Sequence, residues 1–343
     1  MSALKKLQQI QQDNKSMICL GLDLDSKRMP SEYCDSIKGM FDFANKIIEA
    51  TSDRVCAYKP NLAFYESLGA EGLSLLKLIL ERIPENIPII LDGKRGDISN
   101  TASHYAHFLF EVLKGDWVTL NPYMGYDSMR PFLEYKDKGV FVLCLTSNAG
   151  SKDFQLLQVE GKPLYKIVAE KVSYWNKEQN CGLVVGATHP EQLDEIRDIA
   201  KDMPLLIPGV GAQGGALEKA ARSGTANFTK AAVINVSRSV LYASTDKDFA
   251  QKSREELDKL NSVVNGLRND VAKSSQENNQ NQPQHHDQNQ NRPHNHGQNQ
   301  DRNQGQPQHQ QHQQHHRQPQ NQNQNRPPQP TPNPPPQNDQ TSQ

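Results

Sequence analysis

Beyond Ala272 the chain contains no Val, Ile, Leu, Met, Phe, Tyr or Trp. What remains is Gln, Asn, His and Pro with a few charges, as in "NQNQPQHHDQNQNRPHNHGQNQ". Such a segment buries too little apolar surface to offset the entropy of ordering it. It therefore predicts a disordered low-complexity tail over 272–343 and leaves 1–271 to fold. Other absences narrow the class. No apolar run reaches the roughly 18 residues that a membrane span needs. The N-terminal "MSALKKLQQIQQDNKS" lacks the apolar core of a secretory signal. The five cysteines, Cys19, Cys34, Cys56, Cys144 and Cys181, form no CxxC, and four of them lie in apolar runs. An odd number of buried thiols points to a reducing, cytoplasmic setting. Excess charge is also missing. The chain's formal net charge is −1, and the tail's five Lys/Arg against four Asp/Glu leave −2 for the rest. No basic patch predicts nucleic-acid binding. Only His104, His107 and His189 precede the tail. The first two read as one helix face and the third as a neighbour of Pro190 at a helix start, so no metal site is expected.

What is present is a repeating pattern. Eight short apolar runs occur: "SMICLGLD", "RVCAYKP", "IPIILD", "DWVTLNP", "GVFVLCLT", "CGLVVGAT", "PLLIPGV" and "AAVINVS". They are continuous rather than alternating, as in parallel strands covered on both faces. Helical patterns such as "AEGLSLLKLILERI" and "TASHYAHFLFEVLK" separate them. Eight strand–helix units in a single domain of the α/β class predict a (β/α)₈ TIM barrel, whose usual length is about 250 residues. The alternative is a doubly wound open sheet.

A barrel of this kind works at the C-terminal ends of its strands. The polar residues fall there. Asp23 ends the first run, Lys59 the second and Asp92 the third, in "LDGKRGDIS", with Lys94 and Asp97 following. Thr146 ends the fifth run, with Ser147 and Asn148 following, and Ser237 ends the eighth, with Arg238 following. Residues two apart in a strand share a face, so Asp92 and Lys94 are expected to point together into the mouth. With Lys59 they form charges of alternating sign, each stabilising its neighbour's ionised form. Asp97 lies within reach of the same site or a neighbouring one. A salt-bridge cluster at a barrel rim is the bland reading for any one of these residues. It explains the whole set poorly.

"PGVGAQGG", after the seventh run, holds Gly209, Gly211 and Gly214 in a GxGxxG pattern. No acidic residue ends the next strand to hold a dinucleotide ribose, and the motif does not open a βαβ pair. The better reading is the barrel phosphate site, built by the loops after strands 7 and 8. Backbone N–H groups at a helix start cradle the anion there. Gln213 can donate to it, and Arg238 can pair with it bidentately. The residues alone thus suggest a small phosphorylated substrate facing a charged acid/base array.

"LDGKRGDISNT" matches a DxKxxD motif with a trailing threonine. With "GLDLD", "YKPNLAFYE", "LNPYMGYDS", "LTSN", "VVGATHPEQL" and "PGVGAQGG", the chain resembles the longer subgroup of the orotidine 5′-phosphate decarboxylase family over about residues 10–245. The resemblance implies conversion of orotidine 5′-monophosphate to uridine 5′-monophosphate with neither metal nor organic cofactor. It makes Lys94 the proton donor to C6 and sets Asp92 against the substrate carboxylate. Lys59 and Asp23 would hold the ribose hydroxyls and the charge network, and Ser147 would read the base edge. Gln213 and Arg238 would bind the 5′-phosphate, with Gly209 and Gly211 shaping its loop. Asp97 and Thr101 would reach into the partner subunit's site, so a homodimer with shared active sites is expected. DxKxxD is shared with metal-dependent sugar-phosphate decarboxylases and aldolases, which form the alternative activity. A scaffold acting through the tail is the alternative from another class. The tail's eight histidines permit weak transition-metal binding and its Gln/Asn content permits self-association; the plain reading is a solvated appendage.

Overall fold

In the computed structural model, residues 1–188, 190–210 and 214–280 are described. His189, the loop residues Gly211 and Gln213, and 281–343 of the expected tail lie outside them. All eight apolar runs form strands: β1 (Ile18–Gly21), β2 (Ala57–Lys59), β3 (Ile90–Arg95), β4 (Trp117–Leu120), β5 (Gly139–Leu145), β6 (Cys181–Val185), β7 (Leu205–Pro208) and β8 (Ala232–Val236). They are parallel and hydrogen-bonded in cyclic chain order, from β2 through β1 and β8 round to β3. The last gap, between β2 and β3, is spanned by isolated parallel bridges, Tyr58 to Ile89 and Asn61 to Asp92. Tyr58 N–H donates to the Pro88 carbonyl and Asp92 N–H to the Pro60 carbonyl, each at 3.0 Å. The sheet therefore closes into a (β/α)₈ barrel, and the open doubly wound alternative is excluded. That alternative would leave two unpaired edges.

The barrel fills because its strands carry bulky apolar side chains on both faces. Trp117 stacks on Phe141 with ring centroids 4.5 Å apart. Gly139 makes that possible, since a Cβ there would lie 2.2 Å from the Trp117 ring. Under the barrel, helix Ala3–Asp13 buries Leu7 and Ile10, and Gln11 Nε2 donates to the Ala232 carbonyl at 2.7 Å. Buried Arg197 ties three segments together by donating to the carbonyls of Lys201, Met203, Gly224 and Ala231. The final helix, Phe249–Gln280, packs Leu257, Leu260 and Val264 against the core and runs past Val271. Every described residue falls in one compact unit, Met1–Pro283.

Two local features differ from the regular pattern. The expected helix in "TASHYAHFLFEVLK" is Ser99–His107 followed by a π-helical turn, Phe108–Val112. After β5, a hairpin pairs Gln158–Val159 with Lys162–Pro163. Its turn residues Glu160 and Gly161 have φ of 53° and 76°, as a two-residue type I′ turn requires.

Candidate active site

The site is built on an irregularity in β3. Leu91 pairs with Val118 and Arg95 with Leu120, so Asp92, Gly93 and Lys94 together face the single residue Thr119. The strand bulges there, and Lys94 takes a φ of +46°. That conformation costs a non-glycine residue about 1–2 kcal/mol. A substitute hydrogen bond holds it, with the Lys94 N–H donating to Thr119 Oγ1 at 2.9 Å. The Thr119 hydroxyl in turn donates to Asp92 Oδ1 at 2.8 Å.

Asp92 is the hub. Lys94 Nζ lies 2.7 Å from its Oδ1 and Lys59 Nζ 2.8 Å from its Oδ2. Lys59 is 4 % exposed, Asp92 7 % and Thr119 1 %, whereas the Lys94 side chain is 46 % exposed. Burial alone would favour a neutral Asp92, but Lys59 and Lys94 outweigh it and hold the carboxyl well below the usual range. Burial likewise works against a charged Lys59, and the carboxylates of Asp92 and Asp23 reverse that, so its ammonium is held above its ordinary value. Asp92 is thus fixed as a carboxylate and Lys59 as an ammonium at neutral pH. The Asp92 and Lys94 side chains meet as strand alternation suggests, but the bulge brings them together.

Asp23 stands just past β1. Its Oδ2 accepts from Ser237 Oγ at 2.7 Å, and its buried Oδ1 has no partner among the described residues. Tyr242 fixes the backbone there, its hydroxyl donating to the Asp23 carbonyl (2.8 Å) and accepting from Asp25 N–H (2.7 Å). Two cavities open on the mouth. One, about 190 Å³, is lined by Asp92, Lys94, Thr119 and Ser147, with apolar Leu143, Val184, Leu206 and Pro208 opposite the charges. The other, about 340 Å³, brings Asp23 together with Arg238, Arg28, Phe64 and Tyr242. Gly209 follows β7 at φ +88°, where a Cβ would sit 3.4 Å from Ser147 Oγ. A glycine lets the β7 loop pass close to Ser147 without strain.

Lys59, Asp92 and Lys94 are in direct contact, Asp23 is one of the charges acting on Lys59, and Ser147, Gly209 and Arg238 stand at the rim. Asp97 and Thr101 line neither cavity. Asp97 Oδ1 accepts from Ile98 N–H at 2.8 Å, and Thr101 is exposed on helix Ser99–His107. Thr119 and Tyr242 were not expected at the site. A threonine inside "DWVTLNP" reads as an ordinary strand residue, and nothing local marks it as facing a bulge. Among the described residues, no group of three or more His, Cys, Asp or Glu is placed to hold a metal ion, and no helix is long and apolar enough to cross a membrane.

Comparison with known proteins agrees with this geometry. A sequence model of the orotidine 5′-phosphate decarboxylase / HUMPS family matches residues 16–253. The orotidine 5′-phosphate decarboxylase of Ralstonia pickettii is 48 % identical over 261 residues, covering 75 % of this chain and 96 % of its own. The enzyme of the same name from Dehalococcoides mccartyi is 47 % identical over 272 residues, covering 78 % and 99 %. The solved structure of Leishmania donovani OMP decarboxylase superposes with a TM-score of 0.67 at 37 % identity, covering 77 % of this chain and 99 % of that one. With the barrel, the charged array and these relatives in agreement, the chain belongs to the orotidine 5′-phosphate decarboxylase / HUMPS family.

Proposed function

We propose that this chain decarboxylates orotidine 5′-monophosphate to uridine 5′-monophosphate, with Lys94 as the acid. The observation that carries the reading is the Lys59–Asp92–Lys94 chain of ion pairs at the barrel mouth, beside an apolar wall. The bond from C6 to the carboxylate carbon breaks, carbon dioxide leaves, and the electron pair stays on C6. The Lys94 ammonium stabilises that charge and then donates its proton to C6. Asp92 lies against the departing carboxylate while holding Lys94 in place. Lys59 and Asp23 hold the ribose hydroxyls, and Ser147 reads the base edge. Arg238 binds the 5′-phosphate, aided by Gln213 and the loop containing Gly209 and Gly211. No cofactor takes part.

Binding energy from a phosphate remote from the reacting carbon can orient the substrate. Arg238→Ala is therefore expected to raise KM by about 10–100-fold, the loss of one charge-assisted, bidentate contact. An unchanged KM in steady-state kinetics would remove Arg238 from the phosphate site.

Asp97 and Thr101 line neither mouth cavity of their own subunit, which supports a homodimer in which they serve the partner's site. Ile98, beside Asp97 in the chain, and Tyr123 and Met124 after β4 are exposed apolar side chains that a partner could cover. The Gln/Asn/His/Pro-rich remainder beyond the barrel is an appendage that turnover does not need.

One experiment tests both statements. Loss of orotidine 5′-monophosphate is followed by ultraviolet absorbance, in EDTA, for the full chain and for a chain cut after Gln280. Comparable turnover by both is expected. No turnover by the full chain sinks the substrate assignment. Activity that returns only with a divalent metal favours the metal-dependent sugar-phosphate enzymes. Activity lost only on cutting gives the appendage a role.

A further inference from the structure

We infer that Thr119 is the positioning residue that sets where Lys94 delivers its proton. The inference rests on the reading of Lys94 as the acid. Lys94 has a flexible stem and a side chain nearly half exposed, yet proton delivery to one ring carbon demands a fixed ammonium. Two contacts can fix it: its head on Asp92 Oδ1 at 2.7 Å and its backbone N–H on Thr119 Oγ1 at 2.9 Å. Thr119 controls both. Its oxygen accepts from the Lys94 backbone, so its proton is free to point at Asp92, where it donates to the same Oδ1 that holds the ammonium. One hydroxyl thereby locks the bulged backbone and orients the carboxylate.

No regular ladder bond can replace it. Between the pairs Leu91–Val118 and Arg95–Leu120, β4 has only Thr119 to offer against Asp92, Gly93 and Lys94. Without the hydroxyl, the Lys94 N–H loses its acceptor and Asp92 loses one of its three side-chain donors. Lys59 would still neutralise Asp92 from the Oδ2 side at 2.8 Å, so the ion pair survives while the geometry of Lys94 relaxes. A displacement on the order of 1 Å at a reacting group costs about 100-fold in rate.

Thr119→Val keeps the β-branched shape and removes the hydroxyl; Thr119→Ala removes it without adding apolar bulk; Thr119→Ser retains it. Both hydroxyl-free variants are expected to lose about 30–100-fold in kcat with KM within about threefold of the parent. Thr119→Ser is expected to stay within about threefold on both constants. Thermal unfolding of each variant reads the structural cost separately, and Thr119→Ala serves where Thr119→Val does not fold. The inference is overturned by a hydroxyl-free variant with kcat near the parent's, by a Ser variant as impaired as Val, or by a loss confined to KM. Lys94→Ala is assayed alongside. A Lys94→Ala enzyme that still turns over defeats the reading of Lys94 itself, whereas an inactive Lys94→Ala beside a fully active Thr119→Val defeats only the role of Thr119.

Discussion

Lys94→Ala is expected to abolish turnover while the fold and nucleotide binding survive. Decarboxylation leaves an electron pair on C6, and no conventional electron sink adjoins it. In the proposed reaction Lys94 both stabilises that charge and protonates the carbon, and the Lys59 ammonium lies on the far oxygen of Asp92. General acid catalysis contributes about 10²–10⁴-fold and a positioned electrostatic partner about 10²–10³-fold. Losing both is expected to lower kcat by about 10⁴-fold or more. Stability should change little. Asp92 keeps its buried partner Lys59 and the Thr119 hydroxyl, so the substitution strands no buried charge. The reverse choice would strand one: Asp92→Ala leaves Lys59, 4 % exposed, with no directly bonded carboxylate among the described residues. Stopped assays measure the rate, and calorimetric titration with uridine 5′-monophosphate measures binding. Turnover within tenfold of the parent would refute the assigned role, and loss of binding together with rate would make Lys94 a binding group instead.

The barrel is legible in the chain because parallel strands buried on both faces must be apolar throughout. That is why "GVFVLCLT" and "CGLVVGAT" read as strands, and why Asp23, Lys59 and Asp92 stand out at their ends. The bulge is not legible. It depends on how β3 registers against β4, a long-range pairing that the two segments do not specify separately. Regular alternation predicts the Asp92–Lys94 contact without predicting the left-handed Lys94 or the role of Thr119. The 158–163 hairpin escapes for another reason: its strands are only two residues long, too short to show an alternating pattern, so only the Glu160–Gly161 turn marks it. Asp97 shows the limit of motif reading. Lys94 and Asp97 lie three residues apart in DxKxxD, yet Asp97 bonds the Ile98 N–H and Lys94 bonds Asp92.

That separation leads to the second large effect. Should Asp97 complete the partner's site, Asp97→Ala and Lys94→Ala homodimers will each be nearly inactive, with about 10²-fold or greater losses expected for a charge removed beside the reacting group. Mixing the two after dissociation and reassociation should restore activity. In a hybrid dimer one site carries both substitutions, and the other keeps its own Lys94 and receives a native Asp97. Random assortment of equal amounts makes half the dimers hybrids, each with one native site, so about one quarter of the parent activity should return. Sedimentation confirms the dimer, and the assay reads the recovery. No recovery from a proven hybrid would place Asp97 in its own subunit's site, requiring its loop to swing from the Ile98 contact towards Lys94. Loss of the dimer in Asp97→Ala alone would instead assign Asp97 to assembly. Recovery to about one quarter distinguishes the shared site from both, because only complementary halves on opposite subunits can rebuild a working array from two defective chains.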